Sequence, residues 1–351
     1  MPAEWEPHEA TWIAWPHNRD DWPGRFSAIP WIYADIVRHI SRGESIRVVV
    51  NDDAHEKSAK RTLKQAHVSL ENVEFFRWKT DRVWTRDSGP IFVTRNEPPQ
   101  VAITHWQFNG WAKYSNYKKD EKLPAAIGRR FGLQGWQPEV ILGGKRRRMV
   151  LEGGSIDVNG RGTLLTTEEC LLSTVQQRNP GVTREQLEQM FAEYLGVKKT
   201  IWLGSGIAGD DTHGHVDDIS RFVAPSTVIT AVEKNSSDSN HVPLQENLRR
   251  LRAATDQDGK PLNVIELPLP SPVWFRGQRL PASYANFYIA NKCVLVPTFN
   301  DRNDRIALNT IADLFPGREV IGIFCGDFIW GLGAIHCATQ QQPATPARAQ
   351  D

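Results

Sequence analysis

The sequence predicts an α/β protein built from one repeated unit, and three observations carry that reading. Helical and strand patterns alternate along the chain. The same block, a helix, then a short apolar strand, then a Gly-rich turn, recurs at about 60-residue intervals, a period that marks a propeller or array of one supersecondary unit. A reactive side chain follows the block each time: Asp87, Glu152, His215 with Asp217, and Cys337, with one interval skipped before the cysteine. Side chains at matching places in a repeat converge on one axis. A nucleophile, a base and three carboxylates at one point describe an enzyme active site.

The elements follow in order. Ile29, Ile32, Ile36, Val37 and Ile40 form a helical apolar stripe that ends by Gly43, and 46–50 is a strand that is apolar but for Arg47. This leading pair stands outside the repeat count and is expected to complete the last unit. The repeat helices are expected at 53–66, 121–131, 183–195, 244–254 and 304–314. Their strands are expected at 73–76, 140–142, 200–203, 264–267 and 320–324. Thr183 and Gln186 have capping-box spacing, Leu187, Met190, Phe191 and Leu195 share one face, and Gly196 stands where a C-cap glycine belongs. The helix from Asp304 should bury Ile306, Ile311 and Leu314 and stop before Pro316. The Gln-, Pro- and Ala-rich last dozen residues look frayed. One catalytic domain is expected over 1–343, with a flexible tail at 344–351.

Composition removes several function classes. A hydrophobic content of 40% and 13 tryptophans supply a core, while a net charge of +1 exerts no general pull on nucleic acid or membranes. The basic run Lys145–Arg148 reads as a solvated loop. No apolar run is long enough to span a bilayer, and the start lacks the regions of a signal peptide. The four cysteines lack metal-site spacing and are too few for a disulfide scaffold, so a reducing, cytoplasmic setting is expected.

Four motifs carry chemistry. Cys337 follows the turn Gly331-Leu332-Gly333-Ala334, an accessible setting with backbone N–H groups that favour the nucleophilic thiolate. Cys170, Cys293 and Cys325 sit in apolar or helical surroundings and read as buried and inert. His336 should point away from Cys337 and serve packing. In Asp211-Thr212-His213-Gly214-His215-Val216-Asp217, an extended course would put His213, His215 and Asp217 on one face. That permits either a general base beside a binding carboxylate or a His-x-His metal site. Asp87 lies in Trp84-Thr85-Arg86-Asp87-Ser88-Gly89-Pro90 and Glu152 in Leu151-Glu152-Gly153-Gly154-Ser155, where each could equally serve a turn or a solvated loop. Acids around a thiol raise its pKa and suppress it, unless the substrate is cationic. A planar guanidinium suits a pair of carboxylates such as Asp87 and Asp217.

These stretches, with Met1-Pro2-Ala3-Glu4-Trp5-Glu6-Pro7-His8, Phe108-Asn109-Gly110-Trp111, Leu164-Leu165-Thr166-Thr167-Glu168-Glu169-Cys170, Ser283-Tyr284-Ala285-Asn286-Phe287-Tyr288 and Ile335-His336-Cys337-Ala338-Thr339-Gln340, resemble the agmatine deiminase and bacterial peptidylarginine deiminase family of guanidine-modifying enzymes. The resemblance covers nearly the whole chain. It implies a five-bladed α/β propeller (pentein) with pseudo-fivefold symmetry. It implies Cys337 as nucleophile, His215 as general acid/base, Glu152 as the acid orienting it, and Asp87 and Asp217 as a guanidinium clamp. Trp84 becomes an aromatic wall, Asp211 the contact for a distal amine, and Asn286 a neighbour of the site. The expected reaction is hydrolysis of agmatine to N-carbamoylputrescine and ammonia, a step toward putrescine and the polyamines, without metal or organic cofactor. Deimination of peptidyl or free arginine is the alternative. The expected partner is a small cationic guanidine, with no nucleic acid and no membrane; a homo-oligomer is left open. Asp211 replaces the usual Glu, His213 the usual Asn, and Leu332 and Ala334 interrupt the usual Gly-Gly-Gly-Asn. These departures bear on substrate choice.

Overall fold

Five sheets share one plan in the computed structural model, which describes residues 1–98 and 100–345. Two strands pair antiparallel, and the second runs through a helix into a third strand parallel to it. A parallel return demands such a crossover, because a tight turn can only reverse the chain. The first sheet uses His8–Ala14, helix Ile29–Ile40 and Ser45–Val50, and is extended by helix Asp53–Gln65 and strand Val73–Arg77. Its antiparallel partner is Gln340–Pro343, from the far end of the chain. The second sheet uses Ile91–Thr94, Val101–Thr104, helix Leu123–Phe131 and Gly135–Trp136. The third uses Asp157–Val158, Thr163–Thr167, helix Arg184–Leu195 and Lys199–Leu203. The fourth uses Ser220–Ala224, Thr227–Val232, helix His241–Ala253 and Asn263–Pro268. The fifth uses Tyr288–Ile289, Cys293–Thr298, helix Asp304–Leu314 and Glu319–Phe324. The fold is a mixed α/β fold, and no described helix is long and apolar enough to cross a membrane.

The local rules mostly hold. Thr183 and Gln186 close their capping box, Gly196 takes the left-handed C-cap at φ 70°, and Leu187, Met190, Phe191 and Leu195 are buried. The central strands are nearly continuous apolar runs because helices cover them. An aromatic stack of Trp12, Phe76 and Trp78 packs under the first sheet, with the Arg47 guanidinium 4.2 Å from the Phe131 ring centre.

Several expectations fail for identifiable reasons. Residues 140–142 do form a strand, but Glu139–Leu142 belongs to a separate hairpin with Lys145–Arg148. The parallel place in the second sheet goes to Gly135–Trp136, whose glycine hid it from an apolar pattern. The basic run is therefore an exposed hairpin strand, not a loop. Ile306 is half exposed, and Ala307 takes its place against the core beside Ile311. The leading helix and strand do, as expected, complete the last unit: Gln340–Pro343 opens it, pairs with His8–Ala14, and the chain runs on through Ile29–Ile40 into Ser45–Val50. Residues 340–343, expected to fray, are buried: Gln342 Oε1 accepts from Trp12 Nε1 at 3.0 Å and from Arg47 Nη1 at 2.6 Å. Of the tail expected at 344–351, residues 346–351 lie outside the described residues.

Candidate active site

Each unit presents one polar side chain, and the fourth unit two, just ahead of its first strand. Asp87 sits on the one-turn helix Thr85–Ser88, before Ile91–Thr94. Glu152 precedes the turn Gly153–Ser155 and strand Asp157–Val158. His215 and Asp217 precede Ser220–Ala224, Asn286 precedes Tyr288–Ile289, and Cys337 precedes Gln340–Pro343. Equivalent places in five equivalent units explain why residues so far apart in sequence meet. Asn286 supplies the interval that the sequence pattern skipped.

The meeting point is the floor of a cavity of about 420 Å³ lined by Trp84, Asp87, Trp111, Asp211, Leu332 and Cys337, among others. His215 Nδ1 lies 3.8 Å from Asp87 Oδ1 and 4.0 Å from Asp217 Oδ1, and its Nε2 lies 3.8 Å from Glu152 Oε2. These are ion-pair distances, so Glu152 does not hold the imidazole by a short hydrogen bond. Cys337 Sγ is 3.7 Å from Asp217 Oδ2, and Asn286 Nδ2 donates to the sulfur at 3.1 Å. Cys337 is only 5% exposed, so its thiol is recessed and not openly accessible as its turn suggested. At the centre stands Gly154. A Cβ there would lie 2.6 Å from His215 Nδ1, 2.9 Å from Asp87 Oδ1 and 3.0 Å from Asp217 Oδ2, so no side chain fits.

Electrostatics separates these groups. Burial pushes the Cys337 thiol well above its ordinary pKa, and Asp217, Asp218 and Asp87 push it further, so the thiol is protonated in the empty site. Burial disfavours charge on His215, yet Asp87, the Cys170 thiol and Glu152 outweigh it and raise the imidazole well above its usual range. Burial would also raise Glu152, but the Arg178 guanidinium, with Nε 3.0 Å from Oε1, and His215 bring it down to about 2. Asp87 is raised to about 6, chiefly by burial, with Asp217 and Glu152 adding to it against the attraction of His215. Its oxygens accept from Trp111 Nε1 at 2.9 Å and Gly154 N at 3.1 Å. Asp217 is lowered despite its burial because His336 binds it.

Other expected residues take different posts. Trp84 forms a cavity wall, stacked at 6.0 Å on Phe328. Asp211 reaches the cavity but is already engaged by Lys113 Nζ at 2.5 Å and Tyr114 OH at 2.6 Å. Asn286 grips Cys337 from behind rather than lining the cavity: its Oδ1 accepts from the His336 and Cys337 amides. His213 does not share a face with His215. The backbone turns left-handed at His213 (φ 63°) and Gly214 (φ 92°), which swings the imidazole to Ser173 Oγ at 3.1 Å. Among the described residues, His213 belongs to neither cluster of potential metal ligands, Glu152–Cys170–His215 and Asp217–Asp218–Cys337, so the His-x-His site has no geometric basis. The first cluster also places Cys170, read as inert, beside His215. Leu332 adopts φ 66°, a region that costs most residues about 1 kcal/mol and glycine almost nothing. Sequence reasoning missed Arg178, Trp111, Asp210, Asp218, and Glu4 with His336. Asp210 accepts from the Gly214 and His215 amides and thereby fixes that turn.

A family model of Porphyromonas-type peptidyl-arginine deiminases matches residues 1–343. The chain belongs to that family. A Legionella pneumophila protein provisionally named agmatine deiminase is 36% identical over 346 residues, 98% of this chain and 94% of the relative. The solved agmatine deiminase of Enterococcus faecalis is 31% identical, superposes with a TM-score of 0.89, and covers 99% of this chain and 96% of its own. The substrate-bound agmatine deiminase of C. jejuni is 28% identical with a TM-score of 0.85, covering 98% of this chain and 96% of its own. These family members share the mixed α/β fold described above.

Proposed function

We propose that this family member is an agmatine deiminase that hydrolyses agmatine to N-carbamoylputrescine and ammonia through a covalent amidino-cysteine. The observation that carries the reading is the buried quartet of Cys337, His215, Asp87 and Asp217, of which Asp87 and Cys337 line one cavity. Three carboxylates around a protonated thiol make an idle site until a cation arrives. Asp87 and Asp217 hold the planar guanidinium, whose charge offsets theirs and lets Cys337 lose its proton to solvent. The thiolate attacks the guanidinium carbon. Protonated His215, kept charged by Glu152 and Asp87, passes its proton to one NH₂ group, which leaves as ammonia. Water then adds to the amidino carbon as His215 takes one of its protons. The C–S bond breaks, the thiolate is restored, and the urea product loses the last proton to solvent. A positioned histidine contributes about 10²–10⁴ to such proton transfers.

The five strand–strand–helix–strand units support a five-bladed α/β propeller with the site on its axis, within one catalytic domain over 1–343. The free thiols of Cys170, Cys293 and Cys325 support a cytoplasmic setting. Deimination of an arginyl substrate is the competing reading. Turnover of agmatine, arginine and a C-terminal arginyl peptide decides between them, scored by ammonia release and by the ureido product. Cys337→Ala should abolish turnover, whereas Cys293→Ala and Cys325→Ala should retain it. A panel that favours arginine, or an active Cys337→Ala, would overturn the proposal.

A further inference from the structure

Beneath the cavity floor lies a buried chain of charge that the reaction scheme does not use. Glu4 sits in its middle. Its Oε1 forms an ion pair with Arg221 Nη2 at 2.9 Å and accepts from the Ile289 amide at 2.8 Å, and its Oε2 faces Arg86 Nη2 at 3.2 Å. Arg221 also binds Asp157 through Nε at 2.5 Å. His336 bridges this group to the site. Its Nε2 lies 2.8 Å from Glu4 Oε2 and its Nδ1 lies 2.7 Å from Asp217 Oδ2, with the residue 2% exposed. Carboxylate oxygens only accept, so the ring donates on both sides, as the cationic form of histidine does. The charges then balance: Glu4, Asp157 and Asp217 stand against Arg86, Arg221 and His336. Two more contacts fix the residue from behind, Asn286 Oδ1 taking its amide at 3.0 Å and Arg86 Nε reaching its carbonyl at 3.3 Å.

We infer that His336 is a positioning residue for the guanidinium clamp, holding Asp217 by its Oδ2 and carrying the compensating charge beside Cys337. Tied at Oδ2, Asp217 keeps the carboxylate plane fixed and leaves Oδ1, which has no hydrogen-bond partner among the described residues, for the substrate. The same bridge lashes the N-terminal segment carrying Glu4 to the nucleophile's own neighbour. This rests on the assignment of Cys337 and Asp217 as nucleophile and clamp made above.

Two substitutions separate the geometric and electrostatic parts. An asparagine places its amide near the position of Nδ1 and can still donate to Asp217; a glutamine places its amide near Nε2 and cannot. His336→Gln should raise KM for agmatine at least tenfold, while His336→Asn should stay within about threefold of wild type. Both remove the charge next to Asp217, so both should slow iodoacetamide inactivation of Cys337 at pH 8 about tenfold, a readout that loss of packing alone would not move in this direction. Calorimetry of agmatine binding to Cys337→Ala, with and without His336→Gln, reads the clamp without turnover. Equal KM values for the Gln and Asn variants, or alkylation as fast as in wild type, would overturn the assignment. If His336→Gln does not fold, the alkylation rate of His336→Asn decides. Absence of agmatine turnover in wild type, with alkylation still slowed in the variants, would instead strike the proposed function and leave the positioning role standing.

Discussion

Replacing Arg178 with glutamine removes the cation that makes a fully buried Glu152 tolerable. The carboxyl is held at about 2 against a reference of 4.5, although burial pushes it the other way. The gap, about 2.5 pKa units at 1.36 kcal/mol each, corresponds to about 3 kcal/mol of stability. Because the folded pKa is the lower one, that stability is present above the unfolded value near 4.5 and is lost as pH falls toward 2. Arg178 is the leading favourable contributor, and both side chains are wholly inaccessible, so water cannot replace it. Arg178→Gln should therefore lose about 2–3 kcal/mol at pH 7, short of the ~3–5 kcal/mol range for breaking a buried pair because His215 still faces Glu152. Turnover should fall too, since a carboxyl that protonates more readily supports the charge on His215 less. Glu152→Gln/Arg178→Gln removes the orphaned charge and should recover about half of the lost stability. Urea unfolding of wild type, both single variants and the double variant closes the cycle. Additive single variants, or an Arg178→Gln protein within ~0.5 kcal/mol of wild type, would refute the pairing argument.

The other predictions concern the cavity. The raised pKa of Asp87, about 6 against 3.8, means its charge costs the fold stability, with no cost below pH 3.8 and the full cost above pH 6. Asp87→Asn should thus be more stable at pH 7.5, by about 1–3 kcal/mol in calorimetry, while losing turnover; wild-type activity should itself decline as pH drops through 6. Lys113 already occupies Asp211, so a distal ammonium has to compete with it. Lys113→Met should lower KM for agmatine about two- to fivefold, the worth of a partly exposed pair, and leave butylguanidine unchanged; an unaltered agmatine KM would exclude Asp211 as the amine contact. Gly154→Ala should abolish turnover with the chain still folded by circular dichroism, because the new methyl displaces His215, Asp87 or Asp217.

The convergence of Asp87, Asp217, Cys337 and His215 was legible because each stands in a compact local motif ahead of a strand. The failures have physical causes. His213 was placed beside His215 by assuming alternation, which two left-handed residues break. Asn286 came from the resemblance alone, because nothing near it in sequence signals a thiol partner. Arg178 and Glu152 are 26 residues apart, and Glu4 and His336 are 332 apart. Such pairings have no period and no local signature, so the counter-charges of the site stay invisible until the chain is folded. In the fold, glycine at 135 and glutamines at 340–342 concealed strands whose hydrogen bonds, not whose apolar content, secure them.

The pairing of Gln340–Pro343 with His8–Ala14 has a kinetic consequence. Joining segments more than 300 residues apart closes the largest loop in the molecule, and such closures come late, after local helices and hairpins have repaid their entropy. Cys337 lies directly ahead of that strand. During folding, Cys337 is therefore among the last groups to reach its place, and the chain carries no assembled site until its two ends have zipped together. Local opening at this seam would disarm the enzyme before anything else unravels, so amide exchange of residues 340–342 should track the loss of activity more closely than exchange in any interior sheet.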